Sequence, residues 1–192
     1  YPEDNTYNGK KLRLMQEYFF VSAGVQSIVK YYKKKYGDIR KFDQSIAMHI
    51  NDTHTALIIP ELMRILLDEE GLTWEEAWQI TVQSVAYTNH TVMPEAMERW
   101  PIPMFKELLP RIYLVVEEIH NQWQKRVREL FPGDENKQRQ AAILWGGEVH
   151  MAHLAVVGSH SVNGVAAIHS QILKDSALHT LYQCFPDSFN NK

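Results

Sequence analysis

The sequence has a single cysteine, no long apolar segment and no excess of basic residues, and each absence excludes a class of protein. One cysteine, Cys184, excludes an internal disulfide framework and is typical of a reducing compartment, for which we expect a cytoplasmic location. No uninterrupted apolar run approaches the ~20 residues that a membrane-spanning helix requires. The net charge of −3 argues against a broad nucleic-acid surface, which would need clustered lysine and arginine.

What is present is typical of one globular unit rich in helices. Of the 192 residues, 45% are hydrophobic and 22% charged, and no repeat or low-complexity tract interrupts them. Apolar residues recur at helical spacing over residues 11–36, and Gly37 follows as a stop signal. Further helices are predicted over residues 60–70, 110–130, 135–140, 150–157 and 167–173, and from a capping box at Thr73 to residue 84. The helix over residues 110–130 has one apolar face, formed by Ile112, Val116, Ile119, Trp123, Val127 and Leu130.

Short apolar runs over residues 45–50, 85–89 and 161–165 predict buried strands between these helices. Polar residues follow two of the runs directly: Asn51 to His54 after the first, and Asn89 and His90 at the end of the second. The carboxyl edge of a sheet in an open α/β fold is where ligands bind. The two strand ends therefore predict one shared site.

From the residues alone, these polar groups also have simpler interpretations. His90 could be a structural histidine, and Asp52 or Thr53 could cap the following helix. Asp52 and His54, two positions apart, would lie on one side of an extended segment. Two carboxylates, Asp52 and Glu98, would by themselves be compatible with glycoside hydrolysis.

Six collinear segments covering essentially the whole chain closely resemble the α-glucan phosphorylases. They are Tyr1-Pro2-Glu3-Asp4-Asn5, residues 9–19, Asn51-Asp52-Thr53-His54, Pro60-Glu61-Leu62-Met63-Arg64, residues 87–100 and residues 158–165. The resemblance implies a helix-rich α/β fold that forms part of the N-terminal Rossmann-like domain of a two-domain (GT-B) glycosyltransferase. We expect residues 1–192 to be a single internal piece of such an enzyme, without the cofactor-bearing C-terminal domain.

The resemblance also implies the parent reaction, the reversible phosphorolysis of terminal α-1,4-glucosyl residues to glucose 1-phosphate. The implied cofactor is pyridoxal phosphate, whose lysine belongs to a glycine-rich motif of the other domain and is not found in this chain. The implied partners are an α-1,4-glucan and inorganic phosphate, with no nucleic acid and no membrane, in a parent enzyme that is a homodimer.

Several residues acquire roles through the resemblance. His90 corresponds to a catalytic-pocket histidine, with its side chain near the glucosyl 6-hydroxyl and its backbone carbonyl near the anomeric centre. Asp52, His54 and Glu98 correspond to residues that line the cavity and bind substrate without acting as an acid–base pair. Asp4 and Asn5 correspond to the loop that gates the active site, with Asn5 reaching the 2-hydroxyl.

Two departures from the mammalian enzymes bear on ligand preference. Thr6-Tyr7 stands where the muscle-type enzymes have two aromatic residues, so an inhibitor site built on stacked rings is not expected. Glu117 stands where those enzymes use an aromatic residue to bind glycogen on the long helix, which favours soluble maltodextrins.

Two other classes of function remain open at this stage. A metal-dependent hydrolase would use His150 and His153 with a carboxylate, although the spacing is not that of a zincin and no metal site is expected. A non-catalytic glucan-binding fragment would be compatible with the same residues as the phosphorylase interpretation.

Overall fold

Helices and short strands alternate along the chain, as the sequence predicts. The structure, a computed structural model, describes residues 5–191. The helices are α1 (Tyr7–Tyr36), α2 (Ile58–Arg64), α3 (Trp74–Ser84), α4 (Ile102–Leu108), α5 (Pro110–Leu130), α6 (Glu135–Gln140), α7 (Met151–Val157), α8 (Ala167–Asp175) and α9 (His179–Cys184). The strands are β1 (Met48–Asn51), β2 (Val85–Asn89), β3 (Arg99–Pro101), β4 (Leu144–Trp145), β5 (Glu148–His150) and β6 (Ser161–Gly164).

The predicted helix ends are set by local hydrogen bonds. Helix α1 begins at Tyr7, earlier than predicted, because the Thr6 side chain accepts a hydrogen bond from the Gly9 amide at 3.0 Å. It ends at Gly37, whose φ of 84° only glycine adopts easily. The capping box at Thr73 is confirmed, since Thr73 and Glu76 bond reciprocally to each other's backbone amides.

Three strands form a parallel sheet in the order β1-β2-β6. Asn51 pairs with Thr88, and Thr88 pairs in turn with Asn163, so the three carboxyl ends lie at one edge. Ile50, Tyr87 and Val162 on the opposite face are fully buried. The first predicted strand is displaced, because residues 39–44 form a 3₁₀ turn and pairing begins only at Met48.

A second, antiparallel sheet in the order β3-β5-β4 was not predicted. Its strands have two or three residues, too few to show an alternating pattern. Gly146 and Gly147, both with positive φ, turn the chain between β4 and β5. Such a glycine pair is a hairpin signal and could have located it. His150 consequently ends β5 and does not begin a helix.

The helices pack around the parallel sheet through the faces that the sequence indicated. On α5, five of the six predicted core residues are buried, and the exception is Leu130, which is 46% exposed at the end of the helix. Helix α2 continues into a π-helical turn at Ile65–Glu69, and Gly71 with φ 67° ends it. The single cysteine, Cys184, is buried.

A buried ion pair joins α1 to α2. Glu61 is fully buried and accepts hydrogen bonds from Ser22 at 2.7 Å, from Tyr18 at 3.0 Å and from Arg64 at 2.9 Å. The carboxylate can be buried because both of its oxygens accept hydrogen bonds and Arg64 neutralises its charge. The network therefore joins the middle of α1 to α2.

Candidate functional site

The carboxyl edge of the parallel sheet brings together the two strand ends that the sequence singled out. His90 Nε2 lies 2.5 Å from Asn51 Oδ1, which joins the end of β2 to that of β1. The Thr88 hydroxyl donates to Asn163 Oδ1 at 2.7 Å and lies 2.7 Å from His49 Nε2. A polar row therefore crosses all three strands. Thr88 and Asn163 were missed as site residues, although both lie within segments quoted for the resemblance.

Asn89 holds the turn that follows β2, which comprises His90 and Thr91 and is called the β2 turn below. Asn89 is fully buried, and its amide nitrogen donates to the Tyr87 hydroxyl at 2.6 Å while its oxygen accepts from the Thr91 amide at 2.7 Å. Burial raises the pKa of Tyr87 above its usual value, so its hydroxyl stays protonated. The next residue, His90, is exposed at the end of the strand. Asn89 thus fixes the backbone from which His90 emerges.

Asp52 has a strained backbone. Its φ of 70° and ψ of 165° lie in a region that is almost exclusive to glycine, and it is the only non-glycine residue with positive φ among those described. The expected extended arrangement of Asp52 and His54 is wrong, because residues Thr53–Thr55 form a 3₁₀ turn. The capping interpretation is confirmed, since Asp52 Oδ1 accepts from the Thr53 amide at 2.7 Å.

A polar cleft of about 440 Å³ lies beside this turn. Asp52, His54 and Glu98, which are distant in sequence, all line it, and Thr91 borders it from the β2 turn. Its other lining residues include the cations Lys10, Arg13 and Arg99. Three of the predicted substrate-binding residues therefore converge on one cleft.

The remaining predicted residues have different positions. His90 is at the sheet edge, one residue from the cleft lining, and Asn5 is exposed just before α1 and does not line the cleft. Asp4 lies outside the described residues. Of the two gating-loop residues, the structure therefore locates only Asn5, and it lies outside the cleft lining.

Glu98 has a partner that the sequence did not indicate, Glu17 on α1. Burial, together with the charge of the neighbouring Glu98 carboxylate, raises the pKa of Glu17 to about 8, although Arg13 opposes the shift. Burial likewise raises the pKa of Glu98 to about 7, although Trp100, which donates to Glu98 Oε1 at 3.3 Å, opposes the shift. The pair therefore holds a proton near neutral pH. Arg13, which donates to Glu17 at 3.2 Å, connects the pair to the cleft lining.

The histidines considered for a metal site are engaged in the fold. His153 Nδ1 lies 2.7 Å from the Ala142 carbonyl, and its ring stacks on that of His150 with centroids 5.2 Å apart. Burial lowers the pKa of His153 to about 4. Within residues 5–191, no three histidine, cysteine or acidic side chains are grouped so that they could hold a metal ion.

Glu117, the departure noted on the long helix, is half-buried and accepts a hydrogen bond from the Tyr113 hydroxyl at 2.9 Å. It presents a carboxylate where a stacking platform would need a ring. Across the described part of the chain, the helices lack the length or the apolar character needed to cross a membrane.

Comparison with known proteins gives one consistent result. The family model described as carbohydrate phosphorylase matches residues 1–192. The chain is 53% identical over 192 residues to glycogen phosphorylase of Bacillus subtilis. It is 47% identical over 203 aligned positions to the muscle form from Ovis aries and to the brain form from Homo sapiens. The whole chain is covered each time, but it spans only 24% of each relative's length.

Proposed function

The chain belongs to the carbohydrate phosphorylase family, and from this premise we propose that it forms one wall of the active site of an α-glucan phosphorylase. The observation that carries the proposal is the convergence of Asp52, His54 and Glu98 on one cleft at the carboxyl edge of a parallel sheet. Residues 1–192 would be part of the N-terminal Rossmann-like domain of a two-domain glycosyltransferase fold. A second domain would close the crevice from the opposite side.

The parent reaction would be the reversible phosphorolysis of a terminal α-1,4-glucosyl residue with retention of configuration. Inorganic phosphate would take the glucosyl group at the anomeric carbon, and the glucan would leave shortened by one residue. Positive charge develops at that carbon in the transition state, so fixed dipoles and carboxylates pointing at it are stabilising. In this chain the backbone carbonyl of His90 would supply such a dipole.

The residues of this chain would bind and orient the glucan. The His90 side chain would contact the glucosyl 6-hydroxyl, and Asn51, bonded to Nε2, would hold the ring in place. Asp52, His54 and Glu98 would shape the cavity, and Asp4 and Asn5 would belong to a loop over its entrance. The strain at Asp52 supports a functional role, because strained residues persist where function requires them.

The proposed parent would use pyridoxal phosphate, whose phosphate group would supply acid–base chemistry. The described edge of the sheet does not fit that cofactor. Strands β1, β2 and β6 contain no lysine, and among residues 5–191 the one lysine that lines the cleft, Lys10, is exposed on α1. We therefore assign the cofactor to the other domain and derive no step through it here. The proposed enzyme is a cytoplasmic homodimer.

The test compares the 192-residue chain with the full-length enzyme that contains it. Each would be incubated with maltodextrin, inorganic phosphate and pyridoxal phosphate, and glucose 1-phosphate would be measured. We expect release from the full-length enzyme only, and no cofactor absorbance retained by the isolated chain. Release of free glucose without phosphate would contradict the proposal.

A substitution of His90 in the full-length enzyme tests its role directly. His90→Ala should lower kcat more than it raises KM, because the lost contact is with the reacting sugar. One such contact is worth on the order of 2.7–4 kcal/mol, by analogy with oxyanion-hole donors. A folded variant with unchanged kcat would show that His90 has only a structural role.

A further inference from the structure

A second histidine, His169 on the first turn of α8, lies behind the β2 turn. It is 6% exposed, and its Nδ1 accepts a hydrogen bond from the Val165 amide at 3.3 Å. A neutral imidazole that accepts at Nδ1 carries its hydrogen on Nε2. Burial lowers the pKa of His169, and the nearby His90 lowers it further, which keeps the ring neutral.

The position of His169 is fixed by the backbone of Gly164. A Cβ atom at residue 164 would lie 2.8 Å from the His169 ring and 2.8 Å from the Ser170 amide nitrogen. The absence of a side chain therefore lets α8 begin directly against the end of β6. Ser170 completes the contact, because its hydroxyl oxygen accepts from the Gly164 amide at 2.9 Å. Gly164 pairs in register with Asn89, so the first turn of α8 lies beside the end of β2.

The other nitrogen of the ring is aimed at the candidate site. His169 Nε2 is buried and makes no hydrogen bond of standard geometry within the described residues. It faces the backbone of Thr91, next to His90. A buried N–H donor that is left unsatisfied costs about 1–3 kcal/mol. A small movement of the β2 turn that brings the Thr91 carbonyl into line would remove this cost.

We propose that His169 is a positioning residue, which holds the His90–Thr91 turn by donating its Nε2–H to the Thr91 carbonyl. The proposal rests on the proposed function, since it is the position of His90 against the sugar that the contact would secure. Asn89 fixes the same turn from the β2 side through the Thr91 amide. The turn would then be held at both its amide and its carbonyl.

Two substitutions test the roles of the two ring nitrogens of His169 separately. In His169→Gln the side-chain amide reaches the place of Nε2 and can still donate to Thr91. In His169→Asn the amide reaches only the place of Nδ1, so the contact with Val165 survives and that with Thr91 is lost. In the full-length enzyme we expect His169→Asn to lower kcat about 10-fold or more at nearly unchanged KM, because misplaced reacting groups are costly. His169→Gln should recover most of that loss. Equal kcat values for the two variants would overturn the proposal.

Spectroscopy of the 192-residue chain tests the contact without activity. Long-range ¹⁵N–¹H correlation should find the hydrogen of His169 on Nε2, and finding it on Nδ1 would overturn the proposal. The backbone resonances of residues 90–92 should shift in His169→Asn and much less in His169→Gln. Equal shifts in both variants would also overturn it. An inactive full-length wild type would count against the proposed function alone, since these spectra would still decide the role of His169.

Discussion

Glu17 on α1 and Glu98, which lines the cleft, are neighbouring buried carboxyl groups, and the raised pKa values of both leave the pair with a proton near neutral pH. Arg13 donates to Glu17, and Asp52 adds a further negative charge near Glu98. Ionising both of two neighbouring buried carboxyl groups costs free energy, because the charges are poorly solvated and repel each other. The pair therefore makes the stability of this chain depend on pH.

The contribution of this carboxyl pair to folding stability should fall as pH rises from about 5 to about 8, whereas buried His153, with its lowered pKa, contributes in the opposite direction below about pH 6.5. Both pKa values are raised in the folded state, to about 8 and about 7, above the ordinary carboxyl value of 4.5. The folded state therefore retains protons that the unfolded chain releases, and stability is lost as pH rises through the raised values. Urea unfolding at pH 5.5 and pH 8 measures the difference. Glu17→Gln should reduce it and increase stability at pH 8 by on the order of 1 kcal/mol. Glu129→Gln, at an exposed position of α5, is the control, and an unchanged pH dependence in Glu17→Gln would contradict this prediction.

Substitution of two glycines by alanine should change the free energy of unfolding in opposite directions. Gly164→Ala places a Cβ atom 2.8 Å from the backbone of α8, so it should destabilise the chain by about 1–3 kcal/mol. Gly24→Ala, in the interior of α1 with open space around it, should stabilise by roughly 0.5–1 kcal/mol. Thermal or urea unfolding of both variants provides the comparison. A neutral Gly164→Ala would mean that α8 can move away from β6.

The sequence predicted the elements that have a strong local signal. The capping box at Thr73, the stop at Gly37 and the two strands that end at Asn51 and Asn89 are all present. The second sheet was missed because strands of two or three residues carry no period. Its only local signal is Gly146-Gly147.

The grouping of cleft residues was predicted where the family resemblance indicated it, and not where it depends on tertiary contact. Asp52, His54 and Glu98 were expected together and do line one cleft. Glu17 was missed because its position within a long helix resembles that of any solvated glutamate. Only the packing of α1 beside the β2 turn buries it next to Glu98. The strain at Asp52 likewise has no signal in the sequence.

The strain at Asp52 should be measurable as a difference between two small side chains. Asp52→Gly and Asp52→Ala both remove the carboxylate that accepts from Thr53, but only glycine adopts φ 70° and ψ 165° without strain. We expect Asp52→Gly to be more stable than Asp52→Ala by about 1–2 kcal/mol. Urea unfolding of the two variants gives this value directly. Equal stabilities would show that the turn relaxes in solution.

Asp52 and Glu98 should shape the pocket without acting as a general acid and base. Asn at position 52 can still accept from the Thr53 amide, and Gln at position 98 can still accept from Trp100, so both variants keep the local geometry. In the full-length enzyme, Asp52→Asn and Glu98→Gln should each retain a substantial part of the activity and give the α-anomer of glucose 1-phosphate. Loss of a true acid or base would cost roughly 10²–10⁴-fold. Kinetics with and without phosphate, together with the anomeric form of the product, distinguish the two cases. Free glucose formed without phosphate would show that the carboxylates hydrolyse the glucan, and the phosphorylase assignment would then fail with the prediction.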